Sequence, residues 1–161
     1  MVYHGAGKGG RVVKTLVVYD SVFGNTEKVA QRIATALPGS VKVTRVGGVS
    51  PADLGGLDFL VVGSPTLGGR ATKPMQEFLN SLPRSVTENL RCAAFDTRIP
   101  MKFAQVFGYA APRMAEELSS RGGAAVSGTE GFIVKGRGGP LADGELQRAG
   151  EWAKRLAAAG S

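Results

Sequence analysis

Two apolar spacings alternate along this chain. Residues 13–19 form a nearly continuous apolar run, the pattern of a strand buried on both faces. Val29, Ile33 and Leu37 then recur at spacing four with Ala30 and Ala34 beside them, which predicts a helix over 27–37 stopped by Pro38-Gly39. Residues 41–46 alternate Val with Lys, Thr or Arg and read as a half-exposed second strand. A short helix near 51–54 and a third strand over 59–62 follow. Pro74 opens a third helix, with Met75, Phe78 and Leu79 on one face and Pro83 ending it. The fourth strand covers 92–95. Pro112 would break a helix begun at Phe103, so the next helix is placed from Ala110, with Met114, Ala115 and Leu118 toward the core. Residues 124–126 and 132–134 are pieces of a fifth strand. The last helix spans 143–158, with Leu146, Ala149, Ala153 and Leu156 on one stripe and Trp152 packing beside it.

Strand and helix patterns in this alternation predict the α/β class, a doubly wound five-stranded parallel sheet with helices on both faces. The length suits one domain, assigned to residues 13–161, behind a Gly-rich basic tail over 1–12 that is expected to be flexible. The tail run Gly5-Ala6-Gly7-Lys8-Gly9-Gly10 does not meet the Walker pattern, because Lys8 precedes Gly9 rather than Ser or Thr.

Ligands of open sheets bind beyond the carboxyl ends of the strands. The turn that leaves the first strand, Asp20-Ser21-Val22-Phe23-Gly24-Asn25-Thr26, is built of small and hydroxyl residues and runs straight into a helix. Free N–H groups and the positive end of the helix dipole then point at one spot, which makes an anion site. Ser21 and Thr26 add hydroxyls, Asn25 an amide, and Gly24 lets the backbone approach a bound group.

The sequence Ser-x-x-Gly-Asn-Thr after a first strand resembles the phosphate loop of the flavodoxins, which bind flavin mononucleotide (FMN). Residues 58–69, Asp-Phe-Leu-Val-Val-Gly-Ser-Pro-Thr-Leu-Gly-Gly, resemble the third strand and flavin-flanking loop of the same family. The likeness covers roughly residues 13–158, and the short gap between Ala124 and Val134 matches the short-chain form. It implies strand order 2-1-3-4-5 and FMN as cofactor. The phosphate is assigned to Ser21, Val22, Phe23, Gly24, Asn25 and Thr26, and the isoalloxazine edge to Pro65, Thr66, Leu67, Gly68 and Gly69. The family controls its redox chemistry in that second loop, where a peptide turns its carbonyl toward the flavin N5, a turn that Gly68 or Gly69 makes easy. A third loop is expected at Asp96, Thr97 and Arg98, where Asp96 and Arg98 pair with each other or Arg98 reaches the flavin N1–O2 edge. Phe23 stands in place of a Thr of the family loop, and Leu67 where many relatives carry Trp.

Charge changes this picture in one respect. The chain carries a net +7, whereas flavodoxins are typically acidic, and residues 1–14 hold Lys8, Arg11 and Lys14 with no Asp or Glu. No basic stripe interleaves with aromatics, so nucleic acid is not expected as a partner. Redox partner proteins are expected, with acidic ones favoured by the basic surface, and a monomer or small homo-oligomer. No apolar run approaches the ~20 residues that span a bilayer, and no secretory signal is recognised, so a cytoplasmic protein without membrane contact is expected. The single cysteine, Cys92, sits in an apolar run and reads as a buried strand residue. The only histidine, His4, lies in the tail, and neither a metal-ligand spacing nor a nucleophile elbow is present. Three functions remain: a low-potential electron carrier, an NAD(P)H-dependent quinone or flavin oxidoreductase on the same fold, and a non-redox protein-binding module.

Overall fold

The computed structural model describes residues 12–100 and 107–159; the expectations for tail residues 1–11 lie outside them. Strand β1 (Lys14–Tyr19) lies in the interior of a parallel sheet, because Leu16, Val17 and Val18 are apolar on both faces and all are buried. Strand β2 (Ser40–Arg45) pairs with one side of β1 and β3 (Phe59–Pro65) with the other. Strand β4 (Arg91–Arg98) pairs with β3. The fifth position is shared by β5 (Ala124–Ala125), beside Arg91 and Cys92, and β6 (Glu130–Ile133), beside Phe95 to Arg98. The order is therefore 2-1-3-4-5, with the last position interrupted.

Helices cover both faces. Alternate strand residues sort into two cores, as the two-residue side-chain period demands. On one face Val17, Val61, Phe95 and Phe132 pack against α1 (Asn25–Ala36) and α6 (Glu145–Ala159). Phe95, Phe132 and Trp152 meet edge to face, with centroids 6.0–6.2 Å apart. This is the packing role expected of Trp152. On the other face Leu16, Val18, Leu60 and Val62 meet Met75, Leu79, Met114 and Leu118 of α3 (Lys73–Ser81) and α5 (Ala110–Ser120). Short α2 (Pro51–Leu54) begins with a capping box in which the Ser50 and Asp53 side chains bond each other's backbone N–H. Lys42 bonds Asp53 at 2.7 Å, and that bond with the backbone contact at Ser50 holds the Asp53 carboxyl down to about 2. Cys92 is buried in the second core, and burial pushes its thiol up to about 11, so little thiolate forms near neutrality.

Four expectations change. Strand β4 continues through Asp96, Thr97 and Arg98 instead of ending at Phe95, because the two charges neutralise each other and cost the strand little. Pro83 ends α3 but also starts a further short helix, α4 (Arg84–Thr87). Thr72, rather than Pro74, sets the start of α3: its hydroxyl accepts from Met75 N–H, and Pro74 sits inside the first turn. Leu146 is 41% exposed and lies off the buried stripe of α6, whose inward residues are Ala149, Trp152, Ala153 and Leu156.

Candidate functional site

The carboxyl ends of β1, β3, β4 and β6 surround a cleft of about 200 Å³. Larger grooves lie elsewhere, about 670 Å³ against α2 and α3 and about 450 Å³ between α3 and α5, but they are lined by helix side chains and lie off the topological switch of the sheet. The smaller cleft combines helix-terminal donors, hydroxyls, guanidinium groups and exposed apolar side chains.

The β1–α1 turn forms one side. Gly24 takes φ +93°, a left-handed conformation that leads directly into α1. Ser21 Oγ accepts from Gly24 N–H at 3.0 Å and Glu27 N–H at 3.4 Å, so its own hydrogen stays available to a ligand. Thr26 and Thr97 share one hydrogen bond of 2.7 Å between their hydroxyls, which leaves one hydroxyl hydrogen uncommitted. Asn25 and Thr26 begin the helix, where backbone N–H groups have no intrahelical acceptor. Ser21, Val22, Phe23, Asn25 and Thr26 all line the cleft.

Asp20 fastens this turn to the rest of the molecule. One carboxylate oxygen accepts from Ser21 N–H at 2.9 Å and pairs with Arg45 at 3.2 Å, and the other accepts from Thr72 Oγ1 at 2.6 Å. Arg45 also donates to Ser21 O at 2.9 Å. Tyr19 OH donates to Glu27 at 2.9 Å; burial and that bond raise the Tyr19 pKa, so the phenol stays protonated. Asp20 begins the turn singled out from the sequence, whereas Arg45, its partner from β2, carries no motif signal.

The β3–α3 loop supplies the second side through Pro65, Thr66 and Leu67. Leu67 and Arg70 exchange two backbone hydrogen bonds, 2.8 and 3.0 Å, closing a tight loop around Gly68 and Gly69. These two glycines do not line the cleft, and Gly69 packs on the Phe107 backbone. Thr97, Arg98 and Ile99 form the third side. Asp96, expected to contact the cofactor, is instead fully buried. It accepts from Arg98 Nε and Nη2 at 2.7 and 2.9 Å and from Ala111 N–H at 2.9 Å. A carboxylate out of water demands such partners; the Arg98 pair lies within β4, and the Ala111 N–H bond holds β4 to α5. Arg98 lies over the Tyr109 ring, 3.5 Å from its centroid, while still lining the cleft. The Asp96–Arg98 pair is thus formed, and the same pair aims Arg98 at the cleft. Val134 and Arg137, from the loop after β6, complete the lining and were missed. The strand-end rule that located the first two loops applies equally to that one.

These residues fit a flavin nucleotide. Gly24 itself does not line the cleft, and a Cβ built on it would meet nothing within 4 Å. The turn offers neutral donors suited to phosphate, and the exposed Val22, Phe23, Leu67 and Ile99 suit a flat apolar ring. Among the described residues no cluster of His, Cys, Asp or Glu has the geometry to hold a metal ion, and no helix is long and apolar enough to cross a membrane.

Fold and cleft together define the flavodoxin-like class of α/β proteins. The model of the flavodoxin domain matches residues 16–99, and the chain belongs to that family, whose members bind flavin. No curated protein matches the sequence. An archaeal flavodoxin structure superposes with a TM-score of 0.76 at 22% identity, over 92% of this chain and 99% of that one. Flavodoxin 2 from Bacillus cereus gives 0.74 at 22% identity, over 91% and 99%. The flavodoxin, WrbA-like protein from Agrobacterium tumefaciens gives 0.70 at 18%, over 91% and 95%. At such identities the likeness establishes the fold.

Proposed function

We propose that this protein binds FMN in the cleft and works as an electron carrier between redox proteins. The observation that carries the reading is the cleft itself, where a helix N-terminus with uncommitted donors faces exposed apolar side chains at the switch point of the sheet. Ser21, Asn25, Thr26 and the first N–H groups of α1 would hold the phosphate. Leu67, Thr97, Arg98 and Ile99 would flank the ring. Bound flavin supplies one- and two-electron transfer. The chain fixes the ring edge, limits water and keeps a guanidinium beside it through the Asp96–Arg98 pair. No acid–base group lies uncommitted in the cleft among the described residues, which favours carriage over catalysis of a substrate's proton transfers.

The test is a flavin-fluorescence titration. FMN is expected to bind at least tenfold more tightly than riboflavin, because charge-assisted bonds to phosphate are among the stronger ones. Equal affinities would remove the phosphate role of residues 21–26. The enzyme alternative expects sustained NAD(P)H oxidation by the FMN-loaded protein once a quinone is added, which a carrier does not support.

A further inference from the structure

The loop between β6 and α6 was not part of any motif, yet it meets the phosphate turn. Its ends are pinned together: Lys135 N–H donates to Pro140 O at 2.8 Å, Gly139 N–H to Gly136 O at 3.0 Å, and Val134 bridges to Leu141. One side of it rests on the first turn, since a Cβ on Gly139 would come within 2.7 Å of Asn25 Oδ1. Gly139 takes φ +99°, so both space and backbone keep this contact for glycine. Arg137 stands in that loop and lines the cleft together with Ser21, Asn25 and Thr26.

The charges nearby are unequal. The turn from Ser21 to Thr26 contains no charged side chain. Arg45 is committed to Asp20, Arg98 to Asp96, and Lys135 to Asp143. Arg137 is exposed and has no carboxylate partner among the described residues. A phosphate monoester is a dianion near neutrality, and a helix N-terminus offers the equivalent of only about half a positive charge. An uncommitted guanidinium on the same cleft supplies a full charge and two parallel donors.

We propose that Arg137 is a ligand of the flavin phosphate, and that the loop after β6 thereby makes the cleft selective for phosphorylated over unphosphorylated flavin. This rests on the FMN reading for the identity of the phosphate ester. Because Arg137 is exposed, its contribution is modest and falls with salt.

The experiment titrates FMN and riboflavin against the wild type, Arg137→Gln and Arg137→Lys, at low and high salt. A parallel arm follows backbone amide NMR shifts on addition of inorganic phosphate. R137Q is expected to bind FMN about fivefold more weakly, with riboflavin unchanged and the salt dependence of FMN binding reduced. R137K is expected to recover part of the loss, as charge is kept and the fork is not. Unchanged FMN affinity in R137Q overturns the proposal. So does an equal loss for FMN and riboflavin, which would place Arg137 against the ring or in loop packing. A wild type that binds neither flavin defeats the FMN reading, and the phosphate arm then decides alone. Phosphate-induced shifts at Gly24, Asn25 and Thr26 that vanish in R137Q support the anion role of Arg137. Shifts that persist in R137Q, or are absent from the wild type, overturn it.

Discussion

The loops after β1 and β3 each hold a glycine in left-handed conformation, Gly24 at φ +93° and Gly69 at φ +82°, but their surroundings differ completely. A Cβ on Gly24 would meet no atom within 4 Å. A Cβ on Gly69 would lie 2.1 Å from the carbonyl oxygen of Phe107 and 2.7 Å from its carbonyl carbon. In the first loop the space beside Gly24 is open. In the second, the space beside Gly69 is filled by the Phe107 backbone, while that beside Gly68 is open. The same residue in the same backbone region thus faces open space in one loop and packed backbone in the other, and only the neighbours tell them apart.

Gly69→Val strikes the filled side and should have the largest effect. Positive-φ strain and the collision with Phe107 together should cost roughly 3 kcal/mol or more in denaturant unfolding. A midpoint equal to wild type would show that the Phe107 segment yields freely, and the contrast would collapse. Gly24→Val strikes the open side. Only the strained φ should count against the fold, about 1–2 kcal/mol, while FMN affinity falls at least tenfold because loop geometry and open space are both lost. Retained FMN affinity in a folded variant would reduce Gly24 to a turn residue. Gly68→Ala is the mildest change. Gly68 has φ +56° and nothing within 4 Å, so about 1 kcal/mol of stability should be lost and no contact disturbed. It is also the clean position for testing redox control, because any change at Gly69 mixes in the Phe107 clash. If the Gly68 peptide bonds to flavin N5, the first reduction potential should move by roughly 20–60 mV, one hydrogen bond's worth for a one-electron step. An unmoved potential in spectro-electrochemistry would leave the loop as a wall of the cleft.

The contrast also explains what could be read from sequence. The central strands were legible because β1 and β3 are buried on both faces and carry unbroken apolar runs. The β1–α1 turn was legible because a strand, a Gly-Asn-Thr turn and a helix follow each other within a few residues. What escaped depends on partners far apart in the chain. The sequence places Asp96 and Arg98 in a loop and leaves their pairing as one of two alternatives; what it does not show is the bond from Ala111 N–H that seats Asp96 against α5. The wedge of Gly69 against Phe107 joins positions 38 apart in sequence. Arg137 escaped because its loop has no motif of its own and gains meaning only where Gly139 touches Asn25, more than a hundred residues upstream. Thr72 looked like a residue ahead of a proline-led helix, and its bond to Asp20, which ties the two loops together, leaves no local trace.

The two margins of the sheet carry one more consequence. A lateral strand with unpaired backbone groups invites another chain to add to it. On one margin β2 presents Lys42 and Arg45 with side chains about half exposed. Docking a second strand alongside would crowd the Lys42–Asp53 and Arg45–Asp20 pairs. On the other margin the last position is divided between a two-residue and a four-residue piece, separated by Ser127 at φ +70°. A template that short and bent offers little continuous pairing. Both margins thus resist fibre-like stacking, one by its hydrated ion pairs and the other by interruption, while the sheet interior stays as apolar as its core requires.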